Sequence, residues 1–213
     1  MYVTRVLSAV GCAVGLFAGG CYAQDTSKFS FNAGGGFTEP AYSTGGSYDM
    51  GFNIGVGGGY NFNPHLGLMA EFGFNQLGVN STVLNAVGAP DGTNRIYSLT
   101  LDPMVRFHPH GRFDAYVIGG GGYYRQTVQF TEPAIQTVTG FDPFLGFFPV
   151  DVPTNLILGS ATQNKAGLNI GGGVTYRIRG DSNLKFYAEA RYHYLFTGPT
   201  RTTILPVTFG LRW

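Results

Sequence analysis

Apolar and polar residues alternate with a period of two through most of the chain after Lys28. In residues 50–62 the even positions are Met50, Phe52, Ile54, Val56, Gly58, Tyr60 and Phe62, whereas the odd ones are all Gly or Asn. Successive side chains of an extended strand point to opposite faces, so this spacing predicts a strand with one apolar and one small or polar face. The same split predicts further strands at 29–38, 66–76, 96–108, 113–130, 165–178, 184–196 and 202–213. No convincing helical period interrupts them. Each of the eight is long enough for the ~9–11 residues with which a tilted strand crosses a membrane.

Composition decides which face is wet. Only 12% of the 213 residues are charged, and 34 are Gly. A soluble sandwich turns its polar faces to water, and faces this poor in charge would cover such a surface badly. They suit instead the interior of a small closed barrel whose apolar face meets lipid, which also leaves no sheet edge open in hydrocarbon. The expected fold is all-β: an eight-stranded antiparallel up-and-down transmembrane β-barrel. A formal net charge of +1 excludes the basic face that a nucleic-acid partner requires.

The connections support this reading. Those near 63–64, 109–112 and 179–183 are short and turn-like, whereas 39–49, 78–95 and 132–164 are long; the last, 197–201, is short again. Small outer-membrane barrels have short periplasmic turns and longer external loops, so both termini are expected in the periplasm. Ahead of the strands, a short apolar run follows Arg5, and Cys21-Tyr22-Ala23 places small side chains for cleavage before Gln24. The expectation is a signal peptide over 1–23 and a barrel over 24–213, without cysteine. Cys21 after Ala18-Gly19-Gly20 offers a lipoprotein reading, weakened by Ala in place of Leu at the third position before the cysteine.

Leu205, Val207, Phe209, Leu211 and the terminal Trp213 share one face of the last strand. The stretches 185–192 (KFYAEARY) and 206–213 (PVTFGLRW) resemble the bacterial outer-membrane β-barrel domain family, with the small OmpA/OmpX-type barrels as relatives. The resemblance implies the outer membrane of a Gram-negative-type bacterium, a monomer, and no reaction. It also implies that those five residues form the assembly signal read by the barrel assembly machinery, with outer-membrane lipid as the other partner.

Two groups of residues could carry function. Glu71, Asp102, Arg106, Arg177, Glu189, Arg191 and Arg212 share the inward parity of their strands. Buried charges must be paired, so a structural ion-pair network filling the lumen is expected, although Gly at other inward positions would hollow parts of it. The third long connection is far too apolar for a solvated loop; Phe141, Phe144, Leu145, Phe147, Phe148 and Val150 make it a candidate external binding loop for an extracellular ligand. The Gly-rich segments 55–60, 119–123 and 171–176 have no following helix to present to phosphate and read as strand glycines. His65, His108 and His110 sit in turns without a neighbouring carboxylate or Cys at ligand spacing, so no metal is expected. His193 has inward parity and no Ser two residues along its strand, so neither a catalytic residue nor a cofactor is expected. The preferred function is a structural or surface-interaction barrel with a largely filled lumen. The alternative is an outer-membrane channel for small solutes or hydrophobic compounds.

Overall fold

In a computed structural model of the chain, residues 28–144, 146–178, 183–196 and 201–213 are described. Both possible processing sites, at Cys21 and after Ala23, lie outside these residues. Eight antiparallel strands close into one barrel: β1 (Phe29–Pro40), β2 (Gly51–Asn61), β3 (Leu66–Gly78), β4 (Asp91–Arg106), β5 (Phe113–Asp142), β6 (Gly146–Arg177), β7 (Lys185–Leu195) and β8 (Thr202–Arg212). Every strand pairs with its neighbours in sequence, and β1 pairs with β8. Closure continues to the last residue. The Phe31 N–H donates to the Trp213 carbonyl at 2.8 Å, and the Trp213 N–H donates to the Phe31 carbonyl at 2.9 Å.

The alternation sets the two surfaces. Ile54, Val56, Phe72, Leu99, Leu101, Leu168, Ile170 and Phe209 are exposed on the outside, while Asn32, Asn53, Asn75, Ser98, Thr100 and Asn169 are buried inside. The hydrocarbon core of a bilayer, about 30 Å thick, is the medium in which such an outer band is stable. The interior is not polar throughout. Leu77, Ile96, Tyr124, Leu195 and Ile204 form an apolar cluster near the end where β1 finishes, and Tyr48 from the β1–β2 connection packs on it. Met69, Met104, Tyr116 and Ile118 form a second cluster toward the opposite end. Several inward glycines are slots for large inward side chains, whereas Gly55 borders a small cavity of about 60 Å³. A Cβ at Gly173 would lie 2.5 Å from the Tyr116 hydroxyl, and one at Gly171 2.7 Å from Cγ of Arg191.

Two connections differ from expectation. The span 78–95 holds a short helix, α1 (Ser81–Val87), whose first turn is capped by Asn80 accepting the Thr82 N–H at 2.9 Å. Gly88 ends it at φ 69°, a conformation a side chain disfavours. Its seven residues are too few to show a helical period. The larger correction concerns 132–164, which is not a loop. β5 and β6 continue as one hairpin up to the Asp142–Gly146 pair. Thr131, Ile135, Thr137, Val138 and Thr139 are good strand formers, and Pro133, Pro149 and Pro153 lie within the paired strands. Proline is disfavoured in central strands because it lacks an N–H, whereas an edge tolerates it readily. Here both strands are edges.

Candidate functional site

The β5–β6 extension is the most distinctive element. β4 pairs with β5 only as far as the Asp91–Thr131 contact, and β7 meets β6 only from Gly167 onward. Beyond those points, apart from the Phe196 N–H donated to the Ala166 carbonyl, the two strands pair with each other and with no other described strand, across a register shift at Phe130/Thr131. Residues 132–142 of β5 therefore stand clear of β4; at about 3.3 Å per residue this is roughly 35 Å of ribbon. Its tip is apolar. Phe144 is 96% exposed and Phe147 78%, and the Phe141 and Phe147 rings pack with centroids 5.1 Å apart. Phe148 and Val150 lie on the other face, flanking Gly140, with Val150 opposite Val138. Ile135, Leu156, Ile157 and Leu158 extend the apolar surface down the ribbon. Leu145 lies outside the described residues. The candidate loop is thus a paired β-ribbon carrying its aromatic residues on both faces.

Inside the barrel, Arg191 on β7 is the hub of the charges. Its Nη1 donates to Asp102 at 2.9 Å, its Nε to Glu189 at 2.5 Å, and its Nη2 to Glu71. Each carboxylate is held by a second group. The Thr100 hydroxyl and the Asn169 amide donate to Asp102, at 2.6 and 2.8 Å; the Tyr116 hydroxyl donates to Glu189 at 2.7 Å; the Asn32 amide donates to Glu71. Arg212 approaches Glu189 at 3.7 Å and lies over the rings of Tyr116 and Tyr187, at 4.6 and 5.1 Å. Asp102 has no exposed surface at all. Three carboxylates around one guanidinium, with a second at the edge, satisfy the pairing that burial demands.

Five of the seven inward charges are therefore joined: Glu71, Asp102, Glu189, Arg191 and Arg212. Arg106 and Arg177 are not. Arg106 donates to Asn61, and neither Arg106 nor Arg177 makes an ion pair among the described residues. Both occupy the last inward position at the terminal end of their strands, below the network. His193, buried beside the hub, shares a hydrogen bond of 2.8 Å with the Tyr124 hydroxyl. Among the described residues no three His, Cys, Asp or Glu are grouped to hold a metal. Tyr116, Tyr187 and the two apolar clusters were missed by sequence reasoning. Their inward parity is legible in the alternation; that they meet as clusters is not.

A closed ring of eight strands, lipid-compatible outside and plugged inside, has counterparts among known proteins. The family described as outer membrane protein beta-barrel domain matches residues 9–212. The chain belongs to that family. Its place is accordingly the bacterial outer membrane. Solved barrels of similar fold include Neisserial surface protein A, 19% identical, with 87% of this chain and 96% of that one covered at a TM-score of 0.57. A major outer membrane protein from Thermus thermophilus is 16% identical over 87% and 98% of the two chains, with a TM-score of 0.53. OprG from Pseudomonas aeruginosa is 13% identical over 87% and 95%, with a TM-score of 0.50. These likenesses are of fold. No curated protein matches the sequence.

Proposed function

We propose that this barrel is a surface-interaction protein: a rigid, plugged wall that holds the β5–β6 ribbon outside the cell for recognition of an apolar ligand or partner. The observation that carries the reading is the ribbon itself. Large aromatic side chains at the tip of a paired, projecting hairpin are exposed where a water-facing structure would place polar ones, and such apolar patches mark contact surfaces. Pairing supplies the stiffness that lets the tip be presented at a distance from the membrane. The short turns joining β2–β3 and β4–β5 at the end that holds Phe29 and Trp213 support this orientation, since small barrels carry short turns on the periplasmic side. The channel alternative is disfavoured by the interior, where an ion-pair layer lies between two apolar clusters. The cavity described beside that network measures only about 60 Å³.

Three measurements test the proposal. A Thr139→Cys variant should react with a membrane-impermeant maleimide on intact cells. Planar bilayers containing the protein should show no discrete conductance. Cells displaying it should adhere to an octyl-coated surface, and the Phe141→Ser/Phe144→Ser/Phe147→Ser variant should lose most of that adhesion at equal surface abundance. Unreactive Thr139→Cys, stable channel openings, or adhesion indifferent to the triple variant would each overturn it.

A further inference from the structure

The end of the barrel that holds Phe29 and Trp213 opens into a cavity of about 600 Å³. Its wall is cationic by register. Arg177 on β6 is the cross-strand partner of Lys185 on β7, and Lys185 is the partner of Arg212 on β8. Arg106 and Lys28 line the same space, and no Asp or Glu among the described residues does. Like charges directly opposite on adjacent strands destabilise a sheet, so three in a row on the inner face of a barrel is a costly arrangement for structure alone. The nearby carboxylate of Asp114 is buried; its Oδ1 accepts the His108 backbone N–H at 2.6 Å and its Oδ2 has no hydrogen-bond partner, but it makes no ion pair with these cations among the described residues. Arg212 is drawn inward toward Glu189. Arg106, Arg177 and Lys185 form no ion pair among the described residues. The Nε atoms of Arg106, Arg177 and Arg212 are buried without a hydrogen-bond partner, although Arg212 is only 5% exposed.

From this geometry we infer that the cavity is a binding site for a multivalent oxyanion of the phosphate or pyrophosphate class. Arg106, Arg177 and Lys185 hold it, and Arg212 closes its inner end. Guanidinium forks match the oxygen spacing of phosphate and can bind it with two parallel hydrogen bonds. Several oxygens are needed because the cations converge from different strands, and a multiply charged ligand relieves all the repulsions at once. The phosphate can belong to a free anion or to the headgroup of an anionic lipid of the inner leaflet; the chemistry at the cavity is the same.

The test is a calorimetric titration of inorganic pyrophosphate into the folded protein in maltoside micelles, which contain no phosphate. Saturable binding is expected, weakened at least tenfold in Arg177→Gln/Lys185→Gln and unchanged in Arg125→Gln at the far end of the wall. Because the variant also loses the repulsion, its thermal midpoint without ligand should equal or exceed that of the native chain, while pyrophosphate should raise only the native midpoint. Should the double variant fail to show the folded, heat-modifiable band, Lys185→Gln alone gives the same readout. In nanodiscs, a midpoint raised by pyrophosphate in phosphatidylcholine alone identifies a free anion. A midpoint raised by added phosphatidylglycerol, with pyrophosphate then ineffective, identifies the headgroup. No saturable binding together with no lipid effect overturns the inference, as does a double variant that binds like the native chain.

Discussion

The barrel wall and the β5–β6 ribbon share two strands and expose the same kinds of side chain, yet the physics of exposure differs between them. Phe72 on the wall is 47% exposed and Phe147 on the ribbon 78%. On the wall every strand is bonded on both sides, and the exposed phenylalanines form the apolar band on which an outer-membrane barrel depends. On the ribbon each strand is bonded on one side only, and no inner face exists to bury the alternate residues. Exposure of an aromatic residue is thus cheap in one region and costly in the other. Where it is costly and concentrated, a contact is the economical explanation. The comparison also separates stability from recognition: the wall and its lumen should carry the first, the ribbon the second.

The sharpest way to break that division is at Arg191. Replacing it with Met leaves Glu71, Asp102 and Glu189 buried around an apolar side chain, and removing one partner of a buried ionic group typically costs about 3–5 kcal/mol. Arg191→Met should therefore abolish or strongly reduce the folded, heat-modifiable band and lower the urea midpoint in detergent. Adding Glu71→Gln, Asp102→Asn and Glu189→Gln to that variant should recover much of the loss, since neutral amides need no counter-charge. A single variant as stable as the native chain would show that the network fills space without holding the barrel together.

Next in size is the seam. Deleting Trp213 removes both backbone hydrogen bonds with Phe31 and the ring contact at 6.3 Å. At about 1 kcal/mol per hydrogen bond the loss is roughly 2 kcal/mol, placed where β1 and β8 must find each other. If Trp213 also belongs to the signal that delivers the chain for assembly, the amount of protein in the membrane should fall several-fold more than the in vitro stability does. Quantifying both in parallel distinguishes the two contributions. Equal, modest losses would confine Trp213 to closing the seam.

Which parts of this division were legible in the sequence follows from how local each signal is. Alternation over ten residues is a local property, so the parities of Phe52, Ile54, Asn53 and Glu71 were readable, and eight segments of membrane-spanning length pointed to closure. The identity of the hub was only partly so: Glu189 lies two residues from Arg191 on the same face of β7, but Glu71 and Asp102 come from β3 and β4 and reach Arg191 only across the closed lumen. Leu77, Ile96, Leu195 and Ile204 carry inward parity, yet that they meet as a plug depends on the same closure. The ribbon failed for a different reason. Between 132 and 164 no run of alternating residues marks a strand, and nothing local announces that two edge strands there pair only with each other.

The smallest expected effect is the most discriminating. The Glu132–Leu156 pair closes the ribbon just above its register shift, so residues 133–155 can be replaced by Asn-Gly, which favours the two-residue turn suited to antiparallel strands. No lumen residue of the network or of either apolar cluster lies in the excised segment. The strands below retain their pairings with β4 and β7. Surface changes away from packed or paired groups usually alter stability by no more than about 0.5 kcal/mol. The shortened protein should therefore keep its urea midpoint and heat-modifiable mobility while losing adhesion to an octyl surface. A large drop in the midpoint would mean that the ribbon folds back on the wall and helps to hold it, and stability and recognition would then share one element.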